Sequence, residues 1–375
     1  MNVEHHVKSR YSKGAQQQVE ALCCPVSYDT DLLKLLPQEI IDKDYGCGDP
    51  SRYVRPGDRV LDLGSGGGKI CYMAAQLTGP EGSVVGVDMN DDMLDLARRH
   101  KATMAEKLGS DRVTFHKGRI QDLSMDLEAL DQRLHSYPIQ SVTDIEAFET
   151  WKHTYRTETP MIADDSIDLV VSNCVLNLVD ASDREQMLAE LYRVVKPGGR
   201  VAISDIVADD QIPDSMKNDP ELWSGCISGA YEEMAFMAAF RDAGFSGVTI
   251  DKWDETPWRV VQGIEFRSVT LTAVKQPVEW QTEAGQAVIY RGPLAAVMDE
   301  LGNLYPAGER MAVSEEVFNR LGEDPYTDMF IRIQPANPPA RLPYTAKGGT
   351  PRPAFLTRGS GKKDRSDGGK GGRCC

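Results

Sequence analysis

The sequence predicts an α/β protein built on a seven-stranded, mostly parallel sheet, followed by a small C-terminal β-rich domain. Three observations carry this prediction. Short β-branched runs alternate with helix-period segments between residues 59 and 274, the pattern of parallel strands joined by crossover helices. A glycine-rich turn follows the first run and opens a helix, as nucleotide-binding sheets require. After about Lys275 the alternation fades into shorter strand-like pieces.

In chain order, Arg59 to Leu63 reads as the first strand, Ser83 to Asp88 as the second and Arg112 to Lys117 as the third. Ser166 to Ser172 and Arg200 to Asp205 supply the fourth and fifth. Between them Asp183 to Lys196 carries Met187, Leu188, Leu191 and Val195 on one helical face, with Pro197, Gly198 and Gly199 as its stop. Val248 to Lys252 and Phe266 to Val274 complete seven strands. The polar stretch from Gln121 to Asp165 is long for a strand connection, so a helix and a surface insertion are expected there. Gln286 to Tyr290 and Glu309 to Val313 read as strands of the later domain. The expected organisation is a helical and loop segment over 1–44, a main domain over 45–275, a small domain over 276–335 and a tail over 336–375.

Composition narrows the function. With 375 residues, 41% hydrophobic and 26% charged, the chain can bury one large or two ordinary cores, which excludes a fibrous or wholly disordered protein. A net charge of −15 repels phosphate backbones and anionic membrane surfaces, so neither nucleic acid nor membrane is an expected partner. The segment Arg341 to Cys375 holds nine Lys or Arg against two Asp, a net of +7, leaving −22 on the rest. Its Gly, Pro and Lys content predicts disorder. Eight cysteines are too dilute for a disulfide scaffold, and MNVEHHVKSRYSKG offers no apolar export signal, so thiols in a reducing cytoplasm are expected. Leu169 to Val179, the longest mostly apolar stretch, is too short for a bilayer and is broken by Ser172, Asn173 and Asn177. A monomer acting on a small molecule is the expectation.

The turn Leu61 to Lys69 reads LDLGSGGGK. A dinucleotide fingerprint starting at Gly64 would need its third glycine where Lys69 stands. Asp62, Gly64, Gly66 and Gly68 fit Asp-x-Gly-x-Gly-x-Gly instead, which resembles the first motif of the class I S-adenosylmethionine-dependent methyltransferases, enzymes with a Rossmann-like fold. That resemblance implies Asp62 near the methionine end of the donor. Asp88 ends the second strand, where a carboxylate can accept both ribose hydroxyls. The resemblance also implies that Gly118, Arg119 and Ile120, closing the third strand, bracket adenine. The expected donor site is Asp62, Gly64, Ser65, Gly66, Gly68, Asp88, Met89, Arg119, Ile120 and Asn173.

Four cysteines fall where a parallel sheet converges on its ligand. Cys47 precedes the first strand, Cys71 lies in the first helix, Cys174 follows the fourth strand and Cys226 follows the fifth. Cys71, between Ile70 and Tyr72, reads as the most core-like; Cys174 and Cys226 are best placed to meet. No CxxC or Cys/His spacing suggests zinc. Cys374 and Cys375, on the basic tail, form an adjacent pair suited to capturing a soft ion, and Cys23 and Cys24 form another.

The motifs DYGCGDP, LDLGSGGGKICY, VDMN, VVSNCVLNLV, ISDI, WSGCISGA and QGIEFRSVT together resemble the arsenite S-adenosylmethionine methyltransferases, over about Tyr45 to Val313. The resemblance implies trivalent arsenic on Cys174 and Cys226, with Cys47 and Cys71 as further ligand and disulfide partner. Catalysis is thereby expected of Cys47, Cys71, Cys174 and Cys226, with arsenic on Cys47, Cys174 and Cys226. The expected cofactor is S-adenosylmethionine; the expected partners are arsenite, methylarsenite and a thioredoxin or glutathione reductant. The chain departs from many relatives in having Lys69 and Ile70 in place of arginine and aspartate. Two other functions remain open to the residues: methylation of a small organic acceptor, or sequestration of a soft metal by thiols.

Overall fold

A computed structural model describes residues 3–16, 26–43, 45–217, 219–276, 282–299, 302–335, 340, 342–344 and 349–357. The chain divides into two compact units, Met1–Gln276 and Pro277–Cys375.

The strands of the first unit are β1 (Arg59–Leu63), β2 (Ser83–Asp88), β3 (Val113–Arg119), β4 (Asp122–Asp126), β5 (Ile167–Asn173), β6 (Val195–Ala208), β7 (Tyr231–Glu232), β8 (Phe245–Trp253), β9 (Arg259–Val261) and β10 (Ile264–Lys275). They form one sheet in the order β4-β3-β2-β1-β5-β6-β10-β8, with β7 beside β6 and β9 beside β10. From β3 to β6 all neighbours are parallel; β10 runs antiparallel between β6 and β8. The seven expected strands are therefore present. The additional β4, β7 and β9 are too short for their apolar pattern to stand out from the loops around them.

Helices cover both faces: α1 (Val3–Gln16), α2 (Thr30–Leu33), α3 (Gln38–Asp42), α4 (Lys69–Thr78), α5 (Asp91–Arg99), α6 (Lys101–Leu108), α7 (Leu127–Ser136), α8 (Val142–Glu158), α9 (Arg184–Val194), α10 (Asp214–Lys217), α11 (Pro220–Ser224) and α12 (Glu233–Asp242). Because side chains alternate across a strand, β1 feeds two cores. Leu61 and Leu63 pack with Leu191 of α9 and Phe240 of α12. Val60 packs with Tyr72 of α4 and Leu96 of α5. Burial on both faces is why the parallel strands are continuous apolar runs rather than alternating ones.

The expected insertion at 121–165 is a strand and two helices, β4, α7 and α8, and neither helix buries a residue. The helix expected over 183–196 ends at Val194, and Pro197 to Gly199 lie inside β6, because Val195 already pairs with Ile167. Among the described residues no helix is long and apolar enough to cross a membrane.

The second unit is β-rich: β11 (Thr282–Glu283), β12 (Ala287–Tyr290), β13 (Ala296–Met298), β14 (Leu304–Pro306), β15 (Arg310–Ala312), α13 (Glu315–Arg320), β16 (Phe330–Ile333) and β17 (Leu342–Pro343). Strand β12 lies between β15 and β16 in an antiparallel sheet, over Tyr290, Tyr305, Phe318 and Phe330. Part of the expected tail belongs to this unit. Leu342 and Pro343 pair with β11, and Arg352 bonds Glu283 at 2.8 Å. Cys23, Cys24, Cys374 and Cys375 lie outside the described residues.

Candidate active site

Beyond β1 the chain turns through Gly64, Gly66 and Gly68, with φ of 67°, 51° and 84°, left-handed values that favour glycine. At Gly64 a Cβ would also sit 2.5 Å from a Val175 methyl. The turn is tied to β2. Gly64 and Ser65 N–H donate to Val87 O at 2.8 and 3.1 Å, and Gly66 N–H donates to Asp88 Oδ2 at 2.8 Å. Asp88 Oδ1 accepts from Asn90 N at 2.8 Å. Burial raises the Asp88 carboxyl above the usual range, opposed by N–H bonds from Asn90, Gly66 and Met89.

The turn opens on a cleft of about 1040 Å³ counted to its open mouth, ample for a small-molecule ligand. Asp62, Gly64, Ser65, Gly66, Asp88, Met89, Ile120 and Asn173 line it, with Tyr11, Met93, Gln121 and Cys174. Gly68 and Arg119 are not in that lining. Gly68 packs towards Phe115 and Ala97, and Arg119 is exposed. The remaining donors and acceptors fit a nucleoside-bearing cofactor. Asp88 presents a half-buried carboxylate at a strand end, and the buried Ser65 hydroxyl has no hydrogen-bond partner among the described residues, an arrangement a polar ligand would complete.

Three thiols gather beside this cleft. Cys47, Cys174 and Cys226 share one buried cluster with Leu178, Ile206 and Phe266. The loop carrying Cys47 lies close against the sheet because its flanking glycines have no side chains. A Cβ on Gly46 would stand 2.0 Å from Asn173 Nδ2, and one on Gly48 2.5 Å from Ser204 Oγ. Asn173 Oδ1 accepts from the Cys47 and Gly48 N–H groups at 2.8 and 3.0 Å, and Ser268 Oγ donates to Cys47 O at 2.6 Å. Cys174 and Cys226 both take left-handed backbone conformations, φ 62° and 60°, which is uncommon for a residue with a side chain. The Cys226 thiol donates to Cys174 O at 3.6 Å.

Cys71 lies apart. It is buried in the core under α4, and its thiol donates to Asp62 Oδ2 at 3.2 Å. Burial, then the Asp62 carboxylate, push that thiol well above the ordinary range. The structure thus places Cys47, Cys174 and Cys226 in one buried cluster, with the sulfurs of Cys47 and Cys174 and a carboxylate oxygen of Asp205 all within 4.8 Å of one another, and leaves Cys71 in a different cluster.

Sequence reasoning missed two residues of this region. Asp205 is fully buried, and one of its oxygens lies within 4.8 Å of both the Cys47 and Cys174 sulfurs. It is held by Asn177 Nδ2 at 2.7 Å and its neighbour's Ile206 N–H at 2.8 Å. Burial raises its carboxyl to about 6. Its signal was a carboxylate ending the apolar run VAISD. Tyr11 of α1 packs on the thiol cluster, and burial, then the nearby sulfurs of Cys226 and Cys174, raise the pKa of its hydroxyl. No local pattern announces this, since it depends on where α1 docks. Arg10 fixes that docking through Glu221 O at 2.9 Å and Ser224 Oγ at 2.8 Å.

Comparison with known proteins bears on the same residues. A family model described as a methyltransferase domain matches residues 55–150 and 142–254, and one described as a domain of unknown function matches 278–362. Fold and cleft define a class I S-adenosylmethionine-dependent methyltransferase. An arsenite methyltransferase of Aquipseudomonas alcaligenes is 34% identical over 325 residues, 80% of this chain and 84% of its own. One from Mus musculus is 31% identical over 306 residues, 77% of this chain and 70% of its own. The crystal structure of an arsenic(III) S-adenosylmethionine methyltransferase from Chlamydomonas reinhardtii is similar at 28% identity and a TM-score of 0.57, covering 86% of this chain and all of that one. The chain belongs to the arsenite methyltransferase family.

Proposed function

We propose that this enzyme binds trivalent arsenic on Cys174 and Cys226, with Cys47 as third ligand, and methylates it from S-adenosylmethionine. The observation that carries the reading is the gathering of three buried thiols in one cluster, one of them, Cys174, also lining the donor cleft.

Arsenic(III) is soft and thiolate is the soft ligand; two or three sulfurs leave a pyramidal centre with an exposed lone pair. That lone pair is the nucleophile, so no residue need remove a proton from it. S-adenosylmethionine supplies an electrophilic methyl on a cationic sulfur. Asp88 would accept the ribose hydroxyls, the Gly64–Gly66 turn would lie against the amino-acid portion near Asp62, and Ser65 would find a partner for its buried hydroxyl. The protein's task is then alignment, with arsenic and methyl held at roughly 3–3.5 Å. Apolar neighbours such as Leu178 and Phe266 exclude water from the thiols.

Methyl transfer takes arsenic formally from the trivalent to the pentavalent state. Two ligand thiolates give back two electrons by joining as a disulfide, and arsenic returns to the trivalent state carrying its methyl. A thioredoxin or glutathione system of a reducing cytoplasm would then restore the thiols. For Cys71 to serve as a disulfide partner, its bond to Asp62 must first break.

The test is incubation with labelled donor, arsenite and thiol, repeated with Cys174→Ser and Cys226→Ser. Labelled methylarsenicals that vanish in both variants support the reading. Unimpaired turnover in either removes its ligand assignment.

A further inference from the structure

A fully buried carboxylate beside two thiols is strongly disfavoured, since a desolvated charge loses its hydration before any compensation. Asp205 is nevertheless fixed there. Asn177 Nδ2 is shared between Asp205 Oδ1 at 2.7 Å and Ile206 O at 2.6 Å, and Ile206 N–H also binds Oδ1. The second oxygen receives a longer bond, 3.3 Å, from Asn177 N–H. The carboxylate is therefore held most tightly through Oδ1, while one of its oxygens stays within 4.8 Å of the Cys47 and Cys174 sulfurs.

Arsenite is As(OH)₃. Two thiols replace two hydroxyls, each As–O bond giving way to As–S, and each thiol proton leaves with its hydroxyl as water; no electrons change hands. One hydroxyl remains on arsenic. Its hydrogen needs a hard acceptor, and sulfur is a weak one, whereas an ionised carboxylate forms the strong, charge-assisted bond. We infer that Asp205 accepts the hydrogen bond of the last arsenic-bound hydroxyl, and so serves as a positioning and selectivity residue for unmethylated arsenite. The inference rests on the reading that Cys174 and Cys226 hold arsenic. When the Cys47 thiol displaces that hydroxyl, its proton completes the third water beside the same carboxylate. Methylarsonous acid, CH₃As(OH)₂, keeps no hydroxyl after two exchanges and gains nothing from Asp205.

The test compares arsenite and methylarsonous acid on the full reduced chain without donor, by equilibrium dialysis with arsenic counted by mass spectrometry. In the Cys47→Ser background, where one hydroxyl stays on arsenic, Asp205→Asn is expected to weaken arsenite binding by about tenfold or more, the loss of a hydrogen bond to a charged group. It should change methylarsonous acid binding by less than about twofold, because that ligand makes no such bond. With Cys47 present the third thiol removes that hydroxyl and the gap should shrink, so the Cys47→Ser background decides. Equal weakening of both arsenicals would make Asp205 mere scaffolding and overturn the inference, as would no change in either. Asp205→Ser carries the same comparison if Asp205→Asn does not fold, folding being judged by retained donor binding. If the unsubstituted chain binds neither arsenical, the thiolate reading itself falls, a result distinct from failure at Asp205.

Discussion

Asn173 holds the Cys47 loop against the sheet: its Oδ1 accepts the Cys47 N–H at 2.8 Å while its Nδ2 donates to Gly48 O at 2.8 Å. The two residues are 126 positions apart, so a single side chain at the end of β5 sets where a thiol of the first loop stands. Asn173→Ala leaves N–H groups of that loop without an acceptor, at a cost of about 1–3 kcal/mol. The expected outcome is a melting temperature lower by several degrees, at roughly 2–4 °C per kcal/mol, with arsenite affinity reduced although no thiol has been removed. Differential scanning fluorimetry and arsenite dialysis on one preparation check both. Gly46→Ala should act in the same direction, since its Cβ would meet the Asn173 amide at 2.0 Å.

The same pair shows what was legible in the sequence. Strands β1 and β2 are readable residue by residue, because a strand buried on both faces writes itself as a local apolar run. The glycine turn and the positions of Cys174 and Cys226 at strand and helix ends are local facts too. Asn173 also lies in the donor cleft, where it was expected, but its amide bonds Cys47, Gly48 and the Tyr28 hydroxyl, a partnership of distant residues that leaves no trace in spacing. Asp205 had a weak signal and Tyr11 none. Cys71 shows the converse, a cysteine whose core-like context between Ile70 and Tyr72 matches its burial under α4.

Donor affinity should depend on pH through Asp88. Burial raises its carboxyl above the ordinary range, and only the carboxylate accepts both ribose hydroxyls. The donor dissociation constant should therefore be flat at high pH and rise as pH falls through that raised value, earlier than for an exposed aspartate. The stability sign is opposite. A raised carboxyl pKa means the folded state disfavours the charge, so this group's contribution to the donor-free protein improves as pH falls. Donor dialysis from about pH 5 to 8 on the unsubstituted chain and on Asp88→Asn checks the assignment. The variant should bind donor at least about tenfold more weakly, for lost charge-assisted bonds, and without the pH step.

Cys71 should respond differently from the clustered thiols. Its thiol is buried, bonded to Asp62 and pushed upward in pKa, and the thiolate is the reactive form. In the native protein it should resist iodoacetamide under conditions that label it fully in denaturant, as peptide mapping would show. Cys71→Ser should leave equilibrium arsenite binding within about twofold, a change of less than 0.5 kcal/mol, whereas Cys174→Ser and Cys226→Ser abolish it. Rapid labelling of Cys71 in the native chain would mean that α4 opens far more readily than its packing suggests.

Tyr11 links the N-terminal helix to the chemistry. It packs on the cluster that holds Cys174 and Cys226, while on the same helix Ser12 donates to Asn90 Oδ1 at 3.3 Å and Lys8 bonds Asp91 at 3.1 Å. Helix α1 therefore spans from the donor-side strand end to the thiol cluster. Tyr11→Phe removes only the hydroxyl beside those sulfurs, a polar interaction of about 0.5–1.5 kcal/mol, and keeps the ring against Tyr45, its edge-on partner at 6.1 Å. The arsenite concentration giving half-maximal rate should rise by about two- to tenfold, the equivalent of that energy, while the donor's stays unchanged. Tyr11→Ala, which also removes the ring from the cleft wall, should raise both. Steady-state rates with each substrate varied in turn distinguish these outcomes; a donor effect in Tyr11→Phe equal to the arsenite effect would assign Tyr11 to closing the cleft as a whole rather than to placing Cys226.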